Sequence, residues 1–146
     1  MCMLAGVALH VAAQKGLRIN EVFEGKVVDR GCMQESLIKG EDLAPYKLRV
    51  LHTVRFAATY AERDDTEGLF MEDMKGRLSD ETDNMEMERH GEHLYYAIVQ
   101  IADTPKGLHR YICYQCKEKG SRIDITLAYM EGRATLADLR ATFKKK

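Results

Sequence analysis

Apolar and polar residues alternate from Leu48 to Ala58. Leu48, Val50, Val54 and Phe56 fall on one side together with His52, and Arg49, Thr53 and Arg55 fall on the other. A period of two over so long a run predicts a strand with one buried face. The period returns three times near the C-terminus. Leu94, Tyr96 and Ile98 alternate with Tyr95, Ala97 and Val99; Ile112 and Tyr114 with Tyr111 and Cys113; Ile123, Ile125, Leu127 and Tyr129 with Asp124, Thr126 and Ala128. Turn residues separate these runs, Asp103 to Gly107 around Pro105 and Glu118 to Ser121 around Gly120, so they read as a three-strand antiparallel meander.

Between these strands the period changes. Thr59-Tyr60-Ala61-Glu62 has the form of a capping box, and Phe70, Met74 and Leu78 recur at helical spacing, flanked by Met71. This predicts a helix from about Tyr60 to Leu78. Glu62, Asp64, Asp65 and Glu67 lie in its first turns, where the helix dipole favours negative charge. A second helix opens at Thr135-Leu136-Ala137-Asp138, with Leu136, Leu139 and Phe143 as its apolar stripe. Leu17 to Val28 reads as a strand bulged at Gly25, and Asp29-Arg30-Gly31 as a turn. Met33 to Leu43 reads as a short helix or an irregular connection ended before Pro45. Ser79 to His93 is a polar loop that becomes a strand near Met85. The sum is an α+β fold: a mainly antiparallel sheet of about five strands with two helices packed on one face.

The N-terminus departs from this alternation. Met3-Leu4-Ala5-Gly6-Val7-Ala8-Leu9 is uncharged, and Val11-Ala12-Ala13 supplies the small residues that signal peptidase accepts before a cut at Gln14. Residues 1–13 are therefore expected to be a signal peptide. No Lys or Arg precedes the apolar run, which points to a start codon placed too late. A single domain over 14–146 is expected to remain after cleavage, in the periplasm or outside the cell. No Leu-x-x-Cys lipobox marks the junction, so a soluble exported protein is expected and not a lipoprotein.

The chain has 146 residues and a formal net charge of -1, from 22 Lys+Arg against 23 Asp+Glu. That balance provides no field to attract nucleic acid, and the basic run Lys144-Lys145-Lys146 is a solubilising tail. No apolar stretch is long enough to span a membrane as a helix.

The phrases AAQKGLRINEVFEGKVV, KGEDLAPYKLRVLHTVRFAAT, RYICYQC and ITLAYMEGRATLADLRATF cover nearly all of the chain after Ala13. In this phrasing the chain resembles a family of small, uncharacterised, signal-peptide-bearing proteins of Bacteroidales-type gut bacteria. The resemblance implies export. It contains no catalytic motif and implies no activity.

Candidate chemistry is sparse. Cys113-Tyr114-Gln115-Cys116 has redox spacing, yet both cysteines fall in a strand. Three residues of strand span about 10 Å and send the side chains to opposite faces. A disulfide needs Cα atoms within about 7 Å. Cys32 is the one further thiol if Cys2 is cleaved away, too few for a four-ligand zinc site with this pair. Met85, Met87, His90 and His93 form a thioether and imidazole segment of the kind that suits copper, to which Met71 and Met74 could add sulfur. Methionine at such spacing is more often core filler, and His90-x-x-His93 lacks the spacing of a zincin helix. No phosphate loop or nucleophile motif is present, so neither catalysis nor a cofactor is expected. Two readings follow. The favoured one is a non-catalytic module in the cell envelope that binds a protein or small ligand on an open sheet face carrying Tyr95 and Tyr111. The other is a thiol or metal protein using Cys113 and Cys116 or the Met85–His93 segment.

Overall fold

The computed structural model describes Gln14, residues 16–77 and residues 84–143. The expected signal segment, Leu78, the start of the polar stretch after Ser79 and the terminal lysines lie outside the described residues. The helix expected to run to about Leu78 ends earlier, at Met74, followed by turns at Lys75 and Gly76. Six strands form one sheet: β1 Gln34–Lys39, β2 Leu48–Ala58, β3 Met85–His90, β4 His93–Ile101, β5 His109–Lys119 and β6 Arg122–Gly132. Their order is β1-β2-β6-β5-β4-β3, and every neighbouring pair is antiparallel. The helices are a single turn α1 Asn20–Phe23, α2 Tyr60–Met74 and α3 Leu136–Phe143. Short 3₁₀ turns occupy Arg30–Cys32 and Glu41–Tyr46.

Alternation decides what each face carries. One face presents Val54 and Phe56 of β2, Ile125, Leu127 and Tyr129 of β6, and Ile112 and Tyr114 of β5. These pack against Phe70 and Met74 of α2 and against Ile19, Val22 and Phe23 around α1. The Thr59–Glu62 capping box forms as expected, each side chain bonded to the other's backbone amide. The opposite face carries a second cluster, in which Ile98, Tyr111 and Met130 pack under Leu43, Leu136 and Leu139. We call these the α2 face and the α3 face.

Three expectations are corrected. The sheet has six strands instead of five, because Gln34–Lys39 and Met85–His90 pair as its two outer strands. Both are mostly exposed, and an outer strand without a buried face shows no clear period. The two long helices lie on opposite faces, because both faces carry a continuous apolar cluster. The stretch from Leu17 to Val28 is turns around α1 instead of a strand. Ile19, Val22 and Phe23 are all buried at helical spacing. The Asp73 carboxylate accepts from the amides of Arg18 and Ile19 at 2.8 and 2.8 Å, so α2 and not a neighbouring strand satisfies this backbone.

Candidate functional site

The expected ligand residues do not form one patch. Tyr111 is fully buried, and its hydroxyl donates to the Ala134 carbonyl at 2.6 Å. The expectation that this ring faces outward is corrected: α3 and its preceding loop cover it. Tyr95 lies on the other side of the sheet. It sits at an irregularity where Arg89 pairs with Leu94 and Glu88 with Tyr96, and its ring stacks on His90 with centroids 4.0 Å apart.

Tyr111 belongs to a junction that fixes α3. Lys47 takes a left-handed conformation with φ 61. Its carbonyl accepts from the amides of Arg133 and Ala134, both at 2.9 Å. Gly132 makes that approach possible, since a Cβ there would lie 2.4 Å from the Lys47 oxygen. Thr135 and Asp138 then cap α3 reciprocally, at 2.9 and 3.1 Å. Arg140 reaches Glu86 at 3.3 Å and holds the helix toward β3.

α3 is eight residues long and leaves the rest of its face open. The strand register sets Thr53 beside Ala128, Ala128 beside Cys113, and Cys113 beside Ile98. The next row runs Arg55, Thr126, Gln115, Tyr96. Residues of both rows line a concavity of ≈ 330 Å³ with Leu51, Met130 and Lys117. Burial pushes the Cys113 thiol up to about 12 and raises the Tyr96 hydroxyl too. Both stay protonated at neutral pH, and Lys117 is the one charged residue of the lining. Such a surface can bind through apolar contact and neutral hydrogen bonds, and it lacks a general acid or base suited to neutral pH.

A second concavity, of ≈ 270 Å³, lies on the α2 side, between His90, His93, Leu94, Tyr95, Cys116 and Glu118. His90, His93 and Glu118 of this lining are already engaged. The buried Arg63 donates to Glu118 at 2.9 Å and to Asp64 at 3.3 Å, and it meets His93 Nε2 at 3.1 Å. A guanidinium can only donate, so Nε2 accepts and the proton sits on Nδ1, which faces Glu67 at 3.2 Å. The lone pair that could activate Cys116 is occupied. Burial raises the Cys116 thiol as well, so Cys116 and His93 do not make a nucleophile and base.

Residues 6–143 match the family of unknown function DUF6108. The chain belongs to that family. No curated protein and no solved structure matches it.

The remaining candidates of the DUF6108 chain are scattered. Cys113 lines the α3 face and Cys116 packs in the α2-face core, and both are free, as is the exposed Cys32. Met85 packs against the α2-face core, whereas Met87 is exposed. His90 bonds Glu88 and His93 joins the Arg63 network. Among the described residues no group of three or more His, Cys, Asp or Glu side chains is placed to hold a metal ion. Among them, too, no helix is long and apolar enough to cross a membrane.

One buried polar network escapes sequence reasoning. His52 Nε2 lies 2.6 Å from Glu35 and Nδ1 lies 2.8 Å from Gln14 Oε1, with Arg30 on Glu35 at 2.9 Å and the Phe23 ring 4.4 Å away. Burial pushes the His52 imidazole below its ordinary value, and the Glu35 carboxylate pulls it back only in part. Burial also works to raise Glu35, yet the bonds from His52 and Arg30 hold it below the usual carboxylate range. The group ties β1 and Gln14 to β2. Both imidazole nitrogens face oxygen acceptors, so a neutral His52 donates to only one of them.

Proposed function

We propose that this chain is an exported, non-catalytic module that holds a small amphiphilic ligand in the concavity of the α3 face. The observation that carries the reading is an apolar hollow of ≈ 330 Å³ with neutral hydrogen-bonding groups at Thr53, Gln115 and Thr126. That volume is at the lower end of small-ligand sites, about 300–1,000 Å³. The apolar body of a ligand would meet Leu51, Tyr96, Ile98 and Met130, and its hydrogen-bonding end the two threonines and Gln115. The Met3–Leu9 run and the Val11-Ala12-Ala13 junction support export.

Thr126 is half-buried on β6 and lines the hollow. Thr126→Trp should fill it. The probe is 1-anilinonaphthalene-8-sulfonate, an amphiphile of suitable size, titrated by fluorescence. Saturable binding to the native chain is expected. It should weaken at least about tenfold in Thr126→Trp, the factor for about 1.4 kcal/mol of lost contact. Tyr95→Ala, on the other side of the sheet, should leave it unchanged. Absent saturable binding, or binding indifferent to Thr126→Trp, would sink the reading. Export has its own test. Terminal sequencing of protein recovered from cells should read Gln14 first, and an intact Met1 on cytosolic material would refute it.

A further inference from the structure

The α3 face changes character along its strands. The row of side chains nearest α3 joins Leu51, Met130 and Tyr111 across β2, β6 and β5. Two rows on, Arg55 lies beside Thr126 and Thr126 beside Gln115. The next row sets Asp124 beside Lys117, and the last sets Arg122 beside Lys119. The hollow is therefore apolar at its α3 end, neutral and polar in the middle, and bordered by charge at the other end.

That charge is one-sided. Arg55, Lys117 and Lys119 are exposed. Among the described residues none of these three side chains has a hydrogen-bond or ion-pair partner. The strand acids of the same face are engaged. Arg122 Nε donates to both oxygens of Asp124, at 2.9 and 3.1 Å. On β3, Glu86 takes a bond from Arg140 at 3.3 Å, and Glu88 lies 3.2 Å from His90 Nε2. An acid group arriving at this end meets cations whose charge no neighbouring carboxylate has neutralised. Arg55 and Lys117 come from β2 and β5, the two strands that flank Thr126 on β6. Neighbouring strands lie about 4.8 Å apart, so both long side chains can reach a group seated over Thr126.

We propose that the ligand of this hollow is an organic anion, with its acid group held over Thr126 between Arg55 and Lys117 and its apolar body directed toward Leu51, Ile98 and Met130. The inference rests on the ligand reading given above and adds the sign of the ligand's charge and its direction in the site. A guanidinium and an ammonium bond a carboxylate or sulfonate with charge assistance, and Thr126 adds a neutral donor. A cationic amphiphile would set like charge against Arg55 and Lys117. A neutral one would keep the apolar contact and lose the charged contacts. The opposite orientation would bring the acid group against Leu51 and Met130, where a charge without a partner is costly.

Two dyes with one ring system test this on the full chain. 1-Anilinonaphthalene-8-sulfonate carries a sulfonate, and N-phenyl-1-naphthylamine is the same molecule without it. Fluorescence titration should show the sulfonate bound about tenfold more tightly. The double variant Arg55→Gln, Lys117→Gln should erase that difference by weakening the sulfonate alone, and Thr126→Trp should weaken both dyes. Added salt should weaken the sulfonate and spare the neutral dye, a measurement that needs no variant. Lys75→Gln, which removes an exposed cation on α2 across the sheet, should change neither. Decanoate should displace the bound sulfonate at lower concentration than decan-1-ol. Equal binding of the two dyes, both still blocked by Thr126→Trp, would overturn the anion and leave the hollow as a ligand site. A preference for the sulfonate that survives the double variant would also overturn it. Saturable binding of neither dye would remove the site itself, and the anion with it.

Discussion

Phe70→Ala should cost about 3–5 kcal/mol of folding stability in a urea melt, the range for deleting a buried aromatic ring. Phe70 is wholly buried on the sheet side of α2, and its ring lies 5.5 Å from that of Tyr114. Phe70 belongs to a core cluster drawn from several strands, which cannot all collapse into the space left behind, so a cavity term adds to the lost burial. Ile125→Ala, on the same face, should fall in the same class at about 2–5 kcal/mol. Arg55→Ala is the contrast. Arg55 is exposed on the α3 face, one step along β2 from the buried Phe56, and its loss should cost under about 1 kcal/mol. The comparison tests register as well as burial, because a slip of one residue exchanges the two classes. Equal damage from Arg55→Ala and Phe70→Ala would mean that the open part of the α3 face is covered.

Gly132→Ala should cost about 3 kcal/mol, the upper part of the range for overpacking. An added Cβ would lie 2.4 Å from the Lys47 carbonyl oxygen and 2.6 Å from the Leu48 Cα. Both are backbone atoms, and no rotamer change relieves them. The Lys47 carbonyl must move, and with it go its bonds to the Arg133 and Ala134 amides. α3 starts immediately beyond, so the damage should reach the α3 face. A urea melt measures the cost, and amide exchange across Leu136–Phe143 should rise at the same time. A variant as stable as the parent, with α3 equally protected, would show that the junction yields at little cost.

The strands β2, β4, β5 and β6 and the helix α2 are legible in the chain because each has one face in a core and the other partly open. Burial then prints a period of two or 3.6 on the sequence. Thr59 and Glu62 are equally plain, since a capping box is an exchange of hydrogen bonds between near neighbours. β1 is not legible, because four of its six residues are exposed and nothing selects an apolar period. The turns around α1 read as a strand because Ile19 and Phe23 satisfy more than one period. The deciding partner, Asp73, lies more than fifty residues away. The candidate site divides along the same line. Alternation alone places Arg55, Thr126, Tyr96 and Ile98 on particular strand sides. The meeting of Thr126, Tyr96 and Ile98 in one hollow depends on β6 lying between β2 and β5, which is a matter of strand order. The misreading of Tyr111 has the same source. A tyrosine opposite the main core face looks exposed until a second helix covers it, and α3 does so only because Lys47, Gly132 and Ala134 hold its start. Composition and period thus determined which segments are strands and which faces are apolar, through interactions between near neighbours. Strand order, the side each helix takes and the open remainder of the α3 face came from contacts between distant residues, and no local period encodes those.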